Sequence, residues 1–229
     1  MLPAPSDPNP SRASQEWVDF HHRILACTRC VSSGHIPSAA PVFQGRPRQP
    51  FMLVGQAPGV LEASARKPFA GRSGAELARW MKRAGFRDDA HFRSLTYMTS
   101  ITKCFPGKAA TGGDRRPSGV EAQQCAEWLE GQLRLQEPLL ILVVGTLAQA
   151  RFLPGRTLES LVGHLFDRGG VALRGADGDA RPAARRLPYL LPLPHPSGAS
   201  RWLNDAAHKE QLAGALRLLQ RVWPRLADG

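Results

Sequence analysis

The chain has 229 residues, 42% of them hydrophobic, and its 30 Lys and Arg outnumber 19 Asp and Glu to give a formal net charge of +11. This length suits one α/β domain with a buried core and is small for two. The positive charge favours nucleic acid over a neutral metabolite as partner. Because the Pro-rich N-terminus has no apolar run and no stretch reaches about 20 apolar residues, we expect neither a secretion signal nor a membrane span. We therefore expect a cytoplasmic protein.

The order of apolar patterns along the chain predicts alternating helices and strands. Residues 1–14 are rich in proline and small polar residues, which predicts a flexible arm before a single domain over residues 15–229. The predicted elements are a helix over 16–26, a strand over 51–55, a helix over 74–83, a strand over 96–101, a helix over 118–135, a strand over 139–145, a helix over 146–152, a strand over 187–194 and a helix over 205–226. This alternation is typical of an α/β fold with a mostly parallel sheet covered on both faces.

Local signals refine two parts of this plan. Ser118 followed by Glu121 forms a capping box, because hydroxyl and carboxylate can each accept a hydrogen bond from an amide at the helix start. Residues 107–116 and 168–186 are rich in Gly, Lys and Arg without clean periodicity, which predicts surface loops. Their cations, including Arg185 and Arg186, are either phosphate contacts or a solvated surface.

All four cysteines of the chain, Cys27, Cys30, Cys104 and Cys125, are candidates for one site. Without an export signal, metal ligation explains them better than disulfides do. Four thiolates suit either a tetrahedral zinc or a 4Fe-4S cluster, and their spacing does not decide between the two. The alternative is a pair of buried free cysteines beside a chance C-x-x-C.

Three loops follow predicted strands or open helices with residues suited to ligand binding. The sequence GQAPG, from Gly55 to Gly59, follows a strand, where glycines let backbone amides approach a ligand, although alone it also suits a tight turn. Residues 67–74, KPFAGRSG, deliver one aromatic side chain and open a helix. His195 lies between two prolines after the last strand, so it is either a rigid catalytic group or a structural hydrogen-bonding residue.

The motifs VGQAPG, KPFAGRSG, TSITKC, RRPSGVEAQQC and HPS, in this order, resemble those of the uracil-DNA glycosylase superfamily, most closely its iron-sulfur family 4 and family 5 branches. The resemblance extends from about Cys27 to about Asn204. It implies a three-layer α/β/α sandwich around a four-stranded, mostly parallel sheet. It also implies a 4Fe-4S cluster on the four cysteines, with zinc as the minor alternative.

The activity implied by this resemblance is the removal of uracil from DNA by a monomeric enzyme. The enzyme would flip uracil out of DNA and hydrolyse its N-glycosidic bond, leaving an abasic site. Phe69 would stack on the base, while the backbone around Gly55, Gln56 and Ala57 would contact its polar edge. His195 would donate a hydrogen bond to uracil O2, where charge develops in the transition state.

The sequence departs from the family pattern at its carboxylates and at the base-reading position. Gln56 and Ala57 stand where branches of the family carry acidic residues, which leaves Glu62 either to orient the attacking water or to be a solvated carboxylate. Ser100 replaces an asparagine that reads the base. A serine hydroxyl rotates and satisfies either a carbonyl or an amine, so we expect weaker side-chain discrimination with uracil still the best substrate.

The loop after His195 is predicted to contact DNA. Ser197, Ala199 and Arg201 are candidates for filling the gap that a flipped base leaves, whereas Trp202 is interpreted as helix-entry packing. The missing carboxylates also favour a second hypothesis, a noncatalytic or weakly catalytic protein that binds lesions or abasic sites with the same fold and cluster. A third, an enzyme of free nucleosides or nucleotides, is disfavoured because a small substrate needs no extended cationic surface.

Overall fold

Four parallel strands form the centre of one sheet in the computed structural model, which describes residues 12–110, 112–173, 187–197 and 201–227. The strands are β1 (Phe51–Gly55), β2 (Thr96–Ser100), β3 (Leu140–Val144), β4 (Leu165–Phe166), β5 (Ala172–Leu173) and β6 (Tyr189–Leu193). The strand order is β2-β1-β3-β6-β4-β5, with β2, β1, β3 and β6 parallel. All residues of these four strands are buried, which is typical of parallel strands covered on both faces.

Helices cover both faces of the sheet, which confirms the predicted α/β class. They are α1 (Arg12–Leu25), α2 (Arg29–Ser32), α3 (Val60–Ala65), α4 (Arg72–Arg83), α5 (Asp89–Leu95), α6 (Gly119–Gln136), α7 (Thr146–Phe152), α8 (Leu158–Leu161) and α9 (Ala206–Ala227). Because side chains alternate along a strand, Phe51 and Leu53 pack with α4, α5 and α9. Met52 and Val54 face the other way and pack with α1, α6 and α7. Two helical layers thus enclose the sheet.

Within the described residues the sheet has six strands, so the predicted count of four is wrong. β4 and β5 form an antiparallel addition beside β6, and β5 lies within the segment 168–186 that was predicted to be a surface loop. Each of these strands has two residues, too few to produce an alternating pattern in the sequence. The rest of that segment, residues 174–186, and residues 1–11 of the predicted arm lie outside the described residues.

The parallel register places the carboxyl ends of the central strands at one edge of the sheet. Gly55 is aligned with Ser100, and Val144 with Leu193. The loops that follow β1, β2, β3 and β6 therefore begin side by side. The predicted capping box is confirmed at the start of α6, where Ser118 Oγ accepts the Glu121 amide and the Glu121 carboxylate accepts the Ser118 amide.

Candidate functional site

A small pocket of about 40 Å³ opens where β1, β2 and β6 end, and we call it the sheet-edge pocket. All seven residues that the sequence predicted for catalysis or substrate binding line it. Its lining residues are Val42, Gly55, Gln56, Ala57, Pro58, Glu62, Pro68, Phe69, Ser73, Thr99, Ser100 and His195. Sequence reasoning missed Val42 and Thr99 because a loop residue and an interior strand residue reach the pocket only through the fold.

Backbone hydrogen bonds hold the first loop of the sheet-edge pocket. The Ile101 amide donates to the Gly55 carbonyl at 2.9 Å, and the Thr102 amide donates to the Gln56 carbonyl at 3.3 Å. These bonds extend the pairing of β1 and β2 past the ends of both strands. The shape of the GQAPG loop therefore depends on main-chain atoms more than on the side chains of Gln56 and Ala57.

Phe69 reaches the pocket from a backbone conformation that is uncommon for a residue with a side chain. Its φ is +54°, in the left-handed region. A Cβ built on Gly55 would lie 3.8 Å from Phe69 Cζ, so the ring lies against the end of β1. A Cβ on Gly74 would lie 1.9 Å from the Phe69 carbonyl oxygen, so this loop can fold only over a glycine.

His195 is oriented by its own loop. The Ser197 amide donates to His195 Nδ1 at 3.2 Å, which makes Nδ1 an acceptor and leaves the proton of the neutral ring on Nε2. Burial lowers the pKa of His195 below its ordinary value of 6.5, which favours this neutral form. The ring packs on Gly145, where a Cβ would lie 3.5 Å from His195 Cδ2.

The hydroxyl of Ser100 is already engaged on one side. Ser100 Oγ donates to the Thr102 carbonyl at 2.7 Å, and the residue is buried. The hydroxyl hydrogen is therefore held, and the oxygen offers lone pairs to the pocket. This differs from the expected freely rotating hydroxyl, because nothing in the residue pattern indicates that a carbonyl two residues further along lies at bonding distance.

Glu62 has a structural partner as well as a place in the sheet-edge pocket. Its Oε2 accepts the Gly59 amide at 2.9 Å and caps the start of α3. Asp114 Oδ2 lies close by and accepts the Val60 amide at 3.4 Å. Glu62 is thus half-buried and held by a hydrogen bond, in contrast to a solvated loop carboxylate.

The four cysteines line a second pocket, which we call the cysteine pocket. Cys27 follows α1, Cys30 lies in α2, Cys104 follows β2 and Cys125 lies in α6, and all four are free thiols. Burial raises the pKa of Cys30 and Cys125, and that of Cys104 to about 11. Within the described ranges, no group of three or more His, Cys, Asp or Glu side chains is placed closely enough to hold a metal ion.

Lys103 joins the two pockets. Its side chain is buried, its Nζ donates to the Ser100 carbonyl, and its amide donates to Cys125 Sγ at 3.3 Å. Burial lowers the pKa of Lys103 to about 8, a shift that negative charge on Cys125 or Cys104 would oppose. Thiolates at these positions would place negative charge beside the buried ammonium of Lys103.

Two cations of the predicted basic loop 107–116 form ion pairs within the protein. Arg115 forms two hydrogen bonds of 2.7 and 2.6 Å with Glu121 and one of 3.2 Å to the His35 carbonyl. This pairing lowers the pKa of Glu121 to about 2. Lys108 pairs with Asp114 at 2.6 Å on the surface. Arg115 therefore ties this loop to α6.

The predicted DNA-contacting residues are only partly covered by the described residues. The Ser197 amide is hydrogen-bonded to His195, and Arg201 begins a 3-10 helix (Arg201–Asn204). The other predicted residues, Ala199, Arg185 and Arg186, lie outside the described residues. Trp202 Nε1 donates to Glu159 at 3.0 Å, and its ring stacks on His208 with centroids 4.2 Å apart. The packing interpretation of Trp202 is confirmed.

These features define an α/β/α protein whose candidate site lies at the carboxyl edge of a parallel sheet and is built from strand-following loops and a buried histidine. The chain belongs to the Uracil DNA glycosylase superfamily, because the family model matches residues 42–220. The predicted resemblance is confirmed. In the described part of the chain, no helix is both long and apolar enough to cross a membrane.

Curated relatives lie within the same superfamily. The chain is 29% identical over 144 residues to a type-4 uracil-DNA glycosylase of Pyrobaculum aerophilum, covering 62% of this chain and 68% of that protein. It is 27% identical to a type-4 enzyme of Thermotoga maritima, covering 60% of this chain and 66% of that protein. A type-5 uracil-DNA glycosylase of P. aerophilum is 27% identical, with 58% and 67% of the two chains covered.

Proposed function

We propose that this protein is a monofunctional uracil-DNA glycosylase, which hydrolyses the N-glycosidic bond of deoxyuridine in DNA and leaves an abasic site. The observation that carries the proposal is the meeting of Phe69, Ser100 and His195 in one pocket, with the imidazole held as a donor by the Ser197 amide. A base inside a duplex cannot reach such a pocket, so the nucleotide must be flipped out of the stack.

Base recognition uses the ring of Phe69, the backbone of the first loop and Ser100. Phe69 stacks on the pyrimidine, and the main chain of Gly55, Gln56 and Ala57 contacts its polar edge. Because the Ser100 hydroxyl donates to Thr102, its oxygen accepts the N3–H of uracil. Cytosine has a lone pair at N3, which would face the same oxygen without a hydrogen between them. This acceptor therefore favours uracil over cytosine.

His195 stabilises the leaving group. As the bond between C1′ and N1 breaks, its electron pair moves into uracil and negative charge develops at O2. The neutral imidazole donates its Nε2–H to that oxygen, an interaction that is stronger in the transition state than in the ground state. Burial supports this role, since it keeps the ring neutral and raises the strength of the hydrogen bond.

Water completes the hydrolysis. A water oxygen attacks C1′ of the oxocarbenium-like sugar, and its proton passes to the Glu62 carboxylate, the acidic side chain among the residues of the sheet-edge pocket. The products are a hydroxyl at C1′ and a uracil anion, which takes up a proton. Glu62 acts with one oxygen bonded to the Gly59 amide, which orients its carboxylate.

The cysteine pocket is proposed to hold a 4Fe-4S cluster on Cys27, Cys30, Cys104 and Cys125. Thiolate ligation supplies the anions that the buried Lys103 needs. When bound, the cluster would supply four iron–sulfur bonds that cross-link the helices α1–α2, the segment after β2 and α6. The resemblance to the iron-sulfur branches of the family favours a cluster over a single zinc, which the same four thiolates could also bind.

DNA containing uracil is the proposed partner, and the enzyme is proposed to act as a monomer in the cytoplasm. The net charge of +11 supports phosphate binding, which is independent of sequence and weakens with salt. Charge alone sets affinity and not base choice, so the same surface would serve any sequence around the lesion.

A single assay tests the function. The protein is incubated with an oligonucleotide that contains one uracil, and abasic sites are then cleaved with alkali. The expected result is a strand break at uracil and none in the matched thymine oligonucleotide. Tight binding without strand breaks in the folded protein with its cofactor would favour the noncatalytic lesion-binding alternative.

A further inference from the structure

Arg93 lies beneath the loop that presents Phe69 to the sheet-edge pocket. It belongs to α5, and its side chain is only 11% exposed. Its Nη1 donates to the Pro68 carbonyl at 3.2 Å, and its Nη2 donates to the Phe69 carbonyl at 3.5 Å. One guanidinium therefore bonds the two consecutive carbonyls that precede and follow the Phe69 Cα.

The guanidinium is itself fixed from the other side. Arg93 Nε donates to Asp89 Oδ2 at 2.7 Å, and its Nη1 also donates to Gln44 Oε1 at 2.9 Å. A planar fork with several fixed donors is well suited to hold carbonyls in one geometry, whereas a lysine ammonium is a single point charge on a flexible stem. The pairing with Asp89 orients this fork before any substrate arrives.

The Phe69 backbone needs such support. A φ of +54° is unfavourable for phenylalanine and persists only where the surroundings determine it. Gly74 allows the close approach of the Phe69 carbonyl but does not bond it, so the hydrogen bonds described for the Pro68 and Phe69 carbonyls come from Arg93. Relaxation of the loop would carry the ring away from Gly55 and out of the stacking position.

We propose that Arg93 is a positioning residue, which holds the Phe69 ring in its base-stacking orientation through the Pro68 and Phe69 carbonyls. This inference rests on the proposed function, because it assigns a role to the residue that supports Phe69. Arg93 touches no reacting atom and acts only through the loop. Asp89 is the second member of the arrangement, since it orients the guanidinium.

The test is a double-mutant cycle between Arg93→Gln and Phe69→Ala. Single-turnover uracil excision is measured at saturating DNA, together with the fluorescence of a 2-aminopurine beside a non-cleavable 2′-fluorodeoxyuridine, which reports base flipping. Arg93→Gln is expected to slow excision by roughly 10- to 100-fold and to reduce flipping, because a small displacement of the Phe69 ring already costs this much rate. The double variant should be no slower than Phe69→Ala alone, because Arg93 acts through that ring.

Controls separate positioning from stability and from charge. Arg93→Lys should excise uracil faster than Arg93→Gln, and Asp89→Asn should lose less of the excision rate than Arg93→Gln does. The affinity of Arg93→Gln for DNA with an abasic site should equal that of the wild type, because this DNA has no base to stack. Arg87→Gln removes the same charge from a side chain that is 78% exposed and should be silent.

Each result decides between the two proposals. Fully additive losses in the double variant, or a normal rate for a folded Arg93→Gln, would overturn the positioning role while leaving the glycosylase function intact. A wild-type protein that neither flips nor excises uracil would overturn the proposed function and the role of Arg93 with it. A wild type that flips uracil without excision would overturn only the glycosylase function, with the cycle then measured by flipping.

Discussion

The sheet-edge pocket and the cysteine pocket lie at the two ends of one short segment, residues 100–104, but they are built in different ways. The sheet-edge pocket is shaped by the main chain of loops that follow strands, with bonds such as that from the Ile101 amide to the Gly55 carbonyl. The cysteine pocket is shaped by side chains from helices and a loop that are far apart in sequence.

This difference predicts different tolerance to substitution. A loop held by main-chain bonds keeps its shape when a side chain changes, so substitutions of Gln56 or Ala57 should leave the shape of the GQAPG loop unchanged. The cysteine pocket, which the four thiols and the buried Lys103 line together, should have no such tolerance, because each sulfur is one quarter of the proposed ligand set. The predictions that follow test this contrast, from the largest expected effect to the smallest.

Removal of one thiol should affect the whole cysteine pocket. Cys125→Ser should reduce bound iron from about four per chain to near zero and remove the yellow-brown colour, since a cluster of this type needs all its ligands. Thermal unfolding should begin at a lower temperature, because three chain segments lose their cross-link. Iron analysis and absorbance spectra check both effects, with Ser38→Ala on the exposed surface as the control. Stoichiometric zinc without iron in anaerobically prepared wild type would contradict the cluster.

Replacement of His195 should be the most severe change in the sheet-edge pocket. His195→Ala should slow single-turnover excision by roughly 100-fold or more with little change in DNA affinity, because the missing donor acts mainly in the transition state. Near-normal rates in this variant would show that another group stabilises the departing uracil.

The pH profile provides a second check on His195. A histidine whose pKa is lowered by burial stays neutral as pH falls past 6.5 and becomes protonated only below its own, lower pKa. Protonation at Nδ1 would break the bond from the Ser197 amide. The acid limb of the rate profile attributable to His195 should therefore lie below pH 6.5, and a limb well above it would exclude a neutral donor.

Glu62→Gln separates the two roles of that side chain. The amide oxygen of glutamine still accepts the Gly59 amide, so the start of α3 is preserved, while the negative charge that takes a proton from water is removed. We expect excision to slow by roughly 10- to 100-fold with unchanged thermal stability. Glu210→Gln, on the exposed face of α9, is the matched control. Full activity of Glu62→Gln would leave the water to be held by the backbone.

Ser100 should have a smaller and more selective effect. Ser100→Ala removes one acceptor for uracil N3–H and should slow uracil excision by roughly 2- to 10-fold while narrowing the preference for uracil over cytosine. Ser100→Asn should support or improve uracil excision, since an amide offers both a donor and an acceptor. Competition between uracil and cytosine oligonucleotides measures the preference. An inactive but folded Ser100→Asn would show that the pocket reads the base in another way.

The arginines at the end of the predicted basic segment 168–186 should change affinity without changing base choice. Substitution of Arg185 and Arg186 should weaken binding to all DNA sequences alike and lower the salt dependence of log K by about one unit for each phosphate that is no longer neutralised. Binding titrations over a series of salt concentrations check this. An unchanged slope would identify these arginines as solvated surface.

The sequence determined the central architecture because its signals are local. Four short runs rich in β-branched or aliphatic residues predicted the parallel strands, and the position of the GQAPG loop and His195 after strands placed both at one edge of the sheet. The Ser118 capping box also followed from two residues alone. Short elements were not predicted from the sequence. The two-residue strands β4 and β5 and the four-residue helices α2 and α8 are too short to show a period in their hydrophobic residues.

The tertiary structure decided which partners the site residues have. No pattern in the sequence pairs the Ser100 hydroxyl with the Thr102 carbonyl, the buried Lys103 with the cysteine pocket, or Arg93 with the Pro68 and Phe69 carbonyls. Differences of a few tenths of an ångström in the distance between donor and acceptor decide whether such a hydrogen bond forms. These distances, and the burial of the two groups, are set only by the packing of the helices and the sheet. Residue type thus determined what each group can do, and packing decided which of those interactions it makes.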